Sequence, residues 1–411
     1  MARWRNSKLA RSIAVRGGGK GAAGRMLTWP VAPLETLTPM AFTVERVDLR
    51  ILRLPLVRFF ETSFGRSHDR QFVLVTLHGE GLTAWGECVA DAHPFYSAET
   101  TATAWLVLRD YLVPAVFGRR FEHPREVWAA MRRVRGHRMA KAALEMAAWE
   151  MHAKALGEPL WRVLGGTRPA IASGVSVGIQ DSVPQLLDII ESELAAGYRR
   201  IKIKIKPGWD VGAVERIRSR FGPIPLMADA NAAYTLADAP HLSRLDPYEL
   251  MMIEQPLDHE DLFDHAALQR LMRTPICLDE SIQTVRHARD AIDLGACRVI
   301  NVKPGRVGGF AESLRLHDLT AARGVPVWHG GMLESGIGRA HNLHLASLPN
   351  FSIPGDVAAS RRYYQPDLID PPIEVRPDGT ILVPTGPGTG VHVVRERLER
   401  ATERVAVLER P

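Results

Sequence analysis

Apolar and polar residues alternate along the first well-patterned part of the chain, in "FTVERVDLRILRLPL" and then in "RQFVLVTLHGEGLTAWGECV". A period of two is typical of β-strands, and "HGEG" between two alternating runs predicts a hairpin. The segment between them, "VRFFETSFGRSH", is predicted to be a loop. Two helical runs follow, "SAETTATAWLVLRDYLVPAVF" and "MAKAALEMAAWEMHAKALG". A sheet followed by helices predicts an α+β domain over residues 40–165.

The pattern changes after residue 166, where short apolar runs alternate with amphipathic helical segments. There are eight such runs: "ASGVSVGI", "RRIKIKIK", "IPLMADAN", "ELMMIEQP", "PICLDES", "RVINVKP", "VPVWHGGM" and "NFSIPGD". Eight strand–helix units in about 200 residues predict an α/β fold, a (β/α)8 barrel, here over residues 166–365. The α+β domain would cap this barrel, and residues 366–411 would pack back on the capping domain.

The net charge of +6 is carried by the first 39 residues, which hold seven basic residues and one acidic residue. Residues 40–411 are therefore neutral, and they lack the basic surface that a nucleic-acid partner requires. Residues 1–39 are rich in Gly, Pro and Arg and show no periodicity, which predicts a disordered basic extension. Two interpretations stay open: a transit peptide, or a translation start upstream of a true start at Met26 or Met40.

The chain shows no sign of a membrane or an oxidising environment. No apolar run approaches the ~20 residues that span a bilayer, and no secretory h-region with a cleavage site is present. The cysteines, Cys88, Cys277 and Cys297, are widely spaced. They suggest neither a disulfide framework nor a zinc motif. We therefore expect a cytoplasmic protein with no membrane partner.

Polar residues end five successive predicted barrel strands: Lys204, Asp229, Glu254, Asp279 and Lys303. They are separated by 25, 25, 25 and 24 residues, about one strand–helix unit. Equal spacing places them at one height on neighbouring strands, and the carboxyl ends of barrel strands form the active-site rim. A lone Asp at a strand end is usually a helix N-cap and a lone strand lysine is usually solvated. Five residues in one register are better explained as a site.

The residue types at these five positions suggest a chemistry. Asp229, Glu254 and Asp279 would repel one another unless a cation neutralises them, and oxygen ligands favour Mg²⁺ or Mn²⁺. Lys204 and Lys303 lie four strands apart in a ring of eight, so they face each other. Two bases on either side of one carbon could remove a proton from one face and return it to the other, while the metal holds the enolate.

The motifs "KIK", "ADAN", "IEQP", "LDES" and "NVKPGRVGG" resemble those of the enolase superfamily, in its muconate-lactonizing subgroup. His329 in "VWHGGM" could suggest the mandelate racemase subgroup, but the sixth strand ends in Lys303 instead of an Asp partner. "FFETSFG", "GWD", "GGMLESGIGRAHNLHLASLPNF" and "VPTGPGTGV" further resemble the o-succinylbenzoate synthase / N-acylamino acid racemase family. The similarity covers about residues 42–395.

The resemblance implies a role for each matched residue. Lys204 and Lys303 would be the acid/base pair, and Lys202 would stay protonated and stabilise an enediolate. Metal ligands would be Asp229, Glu254 and Asp279. Asn231 and Glu280 would orient the ligands or lysines. The substrate pocket would be lined by Ser176, Gly331, Met332, Phe59 and Phe64. From its spacing alone, Arg306 could also act on Lys303 and favour its neutral form.

Several reactions share this apparatus. The favoured prediction is a Mg²⁺-dependent o-succinylbenzoate synthase of the menaquinone pathway, which dehydrates a cyclohexadiene-carboxylate, with N-acylamino acid racemase activity beside it. A dedicated racemase, a muconate cycloisomerase and a non-catalytic metal-binding barrel are the alternatives. A dipeptide epimerase would need a DxD motif where this chain has "GDVAAS", with Asp356 but Ala358. The expected partners are a small-molecule carboxylate substrate and further copies of the chain in a homo-oligomer.

Overall fold

The computed structural model describes residues 41–409, so the predicted basic extension lies outside the described residues. Within this range, no helix combines the length and the apolar character needed to cross a membrane. The three cysteines are buried and unpaired.

Antiparallel strands that include a long hairpin begin the described chain. They are β1 (Phe42–Thr43), β2 (Arg46–Thr62), β3 (Gly65–Gly79), β4 (Leu82–Cys88) and β5 (Arg120–Phe121). The strands β2, β3 and β4 pair in one sheet, and β1 pairs with β5 in a separate two-stranded sheet. The prediction of a loop over "VRFFETSFGRSH" was wrong, because β2 and β3 stay paired up to the Thr62–Gly65 pair. Their register shifts between Pro55 and Phe60, and such an irregularity changes which side chains face each side of the hairpin.

Helices cover one side of this sheet. They are α1 (Thr101–Val107), a π-helical turn (Leu108–Leu112), α2 (Val113–Val116), α3 (Pro124–Met131), α4 (Arg138–Ala155) and α5 (Leu160–Leu164). The Ala-rich α4 packs against β4 so closely that a Cβ on Gly86 would overlap the Ala143 carbonyl. Glycine at that position therefore permits the contact between helix and sheet.

A curled parallel sheet follows the short strand β6 (Ala170–Ala172). In residues 41–409 it has seven strands, each paired with the next: β7 (Val175–Val177), β8 (Ile201–Lys204), β9 (Leu226–Asp229), β10 (Ile253–Glu254), β11 (Ile276–Leu278), β12 (Val299–Val302) and β13 (Val327–His329). The helices around it are α6 (Val183–Ala195), α7 (Val211–Phe221), α8 (Ala239–Leu242), α9 (Leu262–Leu271), α10 (Val285–Leu294), α11 (Pro304–Val307), α12 (Phe310–Ala322) and α13 (Gly336–Ala346). Shorter 3₁₀ turns cover Leu236–Asp238, Ser243–Tyr248 and Ser360–Arg362.

The eighth predicted strand, "NFSIPGD", is replaced by an irregular segment. Phe351 forms an isolated parallel bridge with Val327, and Gly355 forms another with Ser173. Pro354 lies between them and has no N–H to donate to a ladder. The segment thus connects the last strand to the first without becoming a regular strand, which gives a modified (β/α)8 barrel.

The C-terminal segment returns to the first sheet. It contains β14 (Ile369–Asp370), β15 (Thr380–Leu382), β16 (His392–Val393), α14 (Arg395–Ala401) and β17 (Thr402–Glu409). The strand β17 pairs antiparallel with β2, and β15 pairs with β6. The exact domain boundaries stay a prediction.

Two buried glutamates of the capping region hold the start of barrel helices. Glu145 on α4 accepts hydrogen bonds from the backbone N–H groups of Phe310 (2.7 Å) and Ala311 (2.9 Å) and from the Trp149 indole (2.6 Å). Glu87 on β4 accepts from the Ser335 and Gly338 N–H groups at the start of α13. Carboxylates satisfy the free donors of a helix N-terminus, so these contacts fix the units that follow β12 and β13.

Candidate active site

The five polar residues predicted from their spacing lie side by side at the carboxyl ends of the strands. Asp229 is in register with Lys204 on one side and with Glu254 on the other. Asp279 directly follows β11, and Lys303 directly follows β12 as the residue before α11. All five are at least 93% buried. Five buried charges at one barrel end require mutual pairing, because an isolated buried charge is strongly unfavourable.

Lys204 is hydrogen-bonded to two residues of the predicted site. Its Nζ donates to Asp229 Oδ2 at 2.6 Å and to Asn231 Oδ1 at 2.7 Å. The Asn231 amide in turn donates to Glu280 Oε1 at 2.9 Å. Burial lowers the pKa of Lys204, and the ionised Asp229 only partly opposes this. A lysine whose ammonium form is disfavoured is suited to accept a proton.

Lys303 lies in a different environment on the other side of the cavity. Its Nζ donates to Asp279 Oδ2 at 2.7 Å and to the Tyr96 hydroxyl at 3.1 Å, and that hydroxyl donates to Asp279 Oδ1 at 3.1 Å. Burial disfavours the ammonium, but the surrounding groups, Tyr96 and Glu254 first, outweigh it and raise the pKa of Lys303. The pKa values of the two lysines are therefore shifted in opposite directions.

Lys202 lies deeper on the same strand face as Lys204. Its Nζ contacts Asp356 at 2.7 Å, Glu254 at 2.9 Å and Asp229 at 3.1 Å. Burial opposes its charge, but these three carboxylates raise the pKa of Lys202 well above its ordinary value. Lys202 is thus a fixed cation at the floor of the site.

The predicted metal ligands fit a hard cation in type and burial. Burial and the charge of Asp229 raise the pKa of Glu254, whereas Lys204 and Lys202 overcome burial and lower that of Asp229. A cation near both carboxylates would relieve this repulsion. In residues 41–409, however, no three His, Cys, Asp or Glu side chains form a ready metal cluster. Each of the three carboxylates instead contacts a lysine: Glu254 contacts Lys202, Asp229 contacts Lys204, and Asp279 contacts Lys303.

Arg306 contacts the partner of Lys303. Its Nη1 pairs with Asp279 Oδ1, and its Nε and Nη2 donate to the carbonyls of Ile282 (2.8 Å) and Asn301 (2.5 Å). The guanidinium and Lys303 Nζ thereby bind the same carboxylate, each on a different oxygen.

The cavity above these groups is lined by residues from both the barrel and the capping region. Lys204, Lys303 and Asn231 line it, as do the predicted pocket residues Gly331, Met332 and Phe64. The placement of Phe59 there requires correction: its ring packs under the Arg66 guanidinium, 3.9 Å away, and Phe60 lines the cavity instead. The register shift in the hairpin accounts for this difference.

Ser176 is also displaced from its predicted position. It pairs in register with Lys202, one level below Lys204, and it is 96% buried outside the cavity lining. A residue level with Lys202 on the neighbouring strand lies too deep to reach the cavity.

Two residues of the site were missed by sequence reasoning. Asn301 donates to Glu254 Oε1 at 2.6 Å; it precedes Lys303 by two positions, so the strand period could have placed it on the same face. Tyr96 lies in "HPFYS" after β4, in the capping region. No periodicity connects that segment to the barrel, so its aromatic residues were the only indication in the sequence that it could contribute to a site.

The comparisons with known proteins agree with this architecture. Residues 46–165 match the family model described as "Mandelate racemase / muconate lactonizing enzyme, N-terminal domain". Residues 185–397 match "Enolase C-terminal domain-like". A solved structure from Listeria innocua, a member of the enolase superfamily, aligns with a TM-score of 0.86 and 38% identity, over 90% of this chain and 99% of that one.

Two curated relatives are about equally similar. The o-succinylbenzoate synthase of Geobacillus kaustophilus is 52% identical over 90% of this chain and 99% of its own length. The N-succinylamino acid racemase of Thermus thermophilus is 52% identical over 87% of this chain and 97% of its own. The chain therefore belongs to the enolase superfamily, in the family that contains o-succinylbenzoate synthases and N-succinylamino acid racemases.

Proposed function

We propose that this chain is a Mg²⁺-dependent o-succinylbenzoate synthase that also racemises N-acylamino acids, N-succinylamino acids in particular. One observation carries the proposal: Lys204 and Lys303 line a single cavity from strands four apart, each held by an acidic partner. Relatives with the two activities in their names are equally similar to this chain, which supports both reactions at one site.

In the synthase reaction one lysine serves as base and then as acid. We assign the base to Lys204, because burial lowers its pKa and so favours the neutral amine that can accept a proton. It removes the proton α to the substrate carboxylate, and the electron pair is delocalised into that carboxylate. The ring C–O bond then breaks, the departing hydroxide takes the proton from the new ammonium, and water leaves. Lys202 and Lys303, both cationic, stabilise the intervening negative charge.

In the racemase reaction both lysines transfer protons. Lys204 removes the α-proton from one face of the substrate, and the Lys303 ammonium donates a proton to the opposite face. The reverse direction exchanges their roles. The pKa of Lys204 is shifted down and that of Lys303 is shifted up, which suits the first to accept a proton and the second to donate one.

We further propose that Asp229, Glu254 and Asp279 hold Mg²⁺, with Mn²⁺ as a substitute. The bound cation would neutralise the charge that develops on the substrate carboxylate oxygens. Asn231 and Glu280 would keep Lys204 oriented through the hydrogen bonds described above. The proposal also includes a small-molecule substrate, a place in menaquinone biosynthesis and a homo-oligomeric state. It includes a cytoplasmic location as well, because unpaired, buried cysteines are in keeping with a reducing compartment.

A dipeptide epimerase is less well supported. That activity requires an anion to hold the substrate ammonium, and Asp356 is the candidate. Its carboxylate is 94% buried and already pairs with Arg200 at 2.7 Å and with Lys202 at 2.7 Å. A carboxylate neutralised by two buried cations has little attraction left for a substrate ammonium.

The test is proton NMR in D₂O with each enantiomer of N-succinyl-phenylalanine, Mg²⁺ and the purified protein. We expect the α-proton of both enantiomers to exchange, and EDTA to stop the exchange. The cyclohexadiene-carboxylate is assayed in parallel for loss of water. Exchange of neither enantiomer, in a folded protein supplied with Mg²⁺, would refute the racemase half of the proposal, and absence of dehydration would refute the synthase half.

A further inference from the structure

The strand that carries Lys202 and Lys204 contains a third lysine that the proposed reaction does not use. Lys206 follows β8 and begins the turn "KPGW", in which the Trp209 N–H donates to the Lys206 carbonyl at 2.8 Å. Gly208 adopts a φ of +83°, as the third residue of a type II turn requires, and Pro207 is a common second residue of such turns. The turn ends the strand and fixes the position of Lys206 on the barrel rim.

Lys206 is paired with the capping region. Its Nζ lies 3.1 Å from Glu61 Oε1, on the hairpin formed by the ends of β2 and β3. Glu61 also pairs with Arg66 across the hairpin at 2.7 Å, and Arg66 reaches Asp181 of the barrel at 2.6 Å. Four charges of alternating sign therefore connect barrel, hairpin and barrel again. Residues 57–68 are called the hairpin tip below.

Backbone contacts complete the docking of the hairpin tip. The Ile179 N–H donates to the Glu61 carbonyl at 3.0 Å, and the Ser63 hydroxyl donates to the Asn231 carbonyl at 3.1 Å. A Cβ on Gly178 would lie 2.8 Å from the Glu61 nitrogen, so glycine is needed for this close approach. The tip thus rests on the loops that follow β7, β8 and β9.

The docked tip forms one wall of the cavity. Phe60, Thr62 and Phe64 line it together with Lys204 and Lys303. Ser63 also connects the tip to Asn231, the residue that bonds Lys204. A tip that lifts would open this wall to solvent and remove the Ser63 contact.

From this arrangement we propose that Lys206 and Glu61 are positioning residues, an electrostatic latch that holds the hairpin tip closed over bound substrate. The inference rests on the proposed function, because the cavity is taken as the substrate site. The Lys206 side chain is 40% exposed and that of Glu61 is 14% exposed. Pairs this exposed are weak and screened by salt. The latch is therefore reversible, as entry of substrate and release of product require.

The experiment compares Lys206→Met, Lys206→Arg and Glu61→Gln with the unaltered protein, in two measurements. Hydrogen exchange at residues 57–68 is followed by mass spectrometry without substrate, and KM and kcat are measured with N-succinyl-phenylalanine. We expect Lys206→Met to speed exchange of the tip and raise KM by about two- to fivefold, the range for an exposed ion pair, without lowering kcat. Lys206→Arg should restore both. The double variant Lys206→Met, Glu61→Gln should show the same tip exchange and KM as Glu61→Gln alone.

Two further variants separate the latch from general loosening. Arg220→Met removes an exposed ion pair with Glu191, 2.7 Å long, on the outer helices of the barrel, and should leave tip exchange unchanged. Gly178→Ala should open the tip by steric contact, so the faster tip exchange of this variant should not depend on salt. In the unaltered protein, added salt should raise the rate of tip exchange toward that of Lys206→Met.

Unchanged tip exchange in Lys206→Met, or an equal change in Arg220→Met, would overturn the latch. Faster tip exchange in Lys206→Met, combined with no racemisation of N-succinyl-phenylalanine by the unaltered protein, would uphold the latch and refute the racemase half of the proposed function, so the two failures are distinguishable.

Discussion

The Tyr96 hydroxyl offers a test of whether Lys303 works independently of Lys204. It accepts a hydrogen bond from Lys303 Nζ and donates one to Asp279, both at 3.1 Å. Tyr96→Phe removes only this hydroxyl and leaves the ring. A hydrogen bond to a charged group contributes about 1.5–3 kcal/mol, which corresponds to about a 10- to 150-fold change in rate. Lys204 bonds Asp229 and Asn231 and not Tyr96, so the substitution should slow only the proton transfer by Lys303.

The assay is α-proton exchange in D₂O, measured separately for the two enantiomers of N-succinyl-phenylalanine. The enantiomer that still exchanges in Lys204→Ala identifies the face served by Lys303. We expect Tyr96→Phe to slow exchange of that enantiomer by at least about tenfold, and to leave the other within about twofold.

The matched control is Tyr234→Phe, because the buried Tyr234 hydroxyl donates to Asp210 at 2.9 Å, outside the cavity. It should change neither rate. Equal slowing of both enantiomers by Tyr96→Phe, or no slowing, would refute the assignment of Tyr96 to Lys303.

Three further predictions concern catalysis and stability. Lys204→Ala and Lys303→Ala should each lower the rate of racemisation by about 10²–10⁴-fold. Each variant should retain α-proton exchange of one enantiomer by NMR. Loss of exchange for both enantiomers in both variants would contradict a two-base mechanism. Glu145→Ala should lower the free energy of unfolding by about 3–5 kcal/mol, since three buried N–H groups lose their acceptor, whereas the exposed Glu122→Ala should change it by under about 0.5 kcal/mol in urea titrations. Burial raises the pKa of Glu87 and of Glu145 from 4.5 to about 7; their protonated forms therefore favour folding below pH 4.5, and this stability is lost as pH rises through about 7. The free energy of unfolding should fall less steeply with pH in Glu87→Gln than in the unaltered protein. An identical pH dependence in the two proteins would contradict the role given to the buried Glu87 carboxyl.

Much of the barrel could be predicted because its signals are local and periodic. The spacing of Lys204, Asp229, Glu254, Asp279 and Lys303 reflects one strand–helix unit, and parallel pairing then brings them level. The eighth run was the exception. Its apolar residues suggested a strand, but whether a backbone joins a ladder depends on the N–H groups available to it, and Pro354 has none.

The capping region contributed residues that no period could place. The register shift between Pro55 and Phe60 decides that Phe60, and not Phe59, faces the cavity. Such a shift depends on how two strands pair, and either register keeps the same sequence pattern. Tyr96 likewise reaches Lys303 across 207 residues of chain.

The sequence by itself determined the fold class, the five charged strand ends and the family, because each follows from a repeating pattern or a contiguous motif. Only the tertiary structure decided which carboxylate each lysine contacts, that Tyr96 belongs to the site, and that Lys206 faces Glu61 on the hairpin. The physical reason is that hydrogen bonds and ion pairs act over about 3 Å. Distances that short between distant segments are set by the packing of the capping region on the barrel.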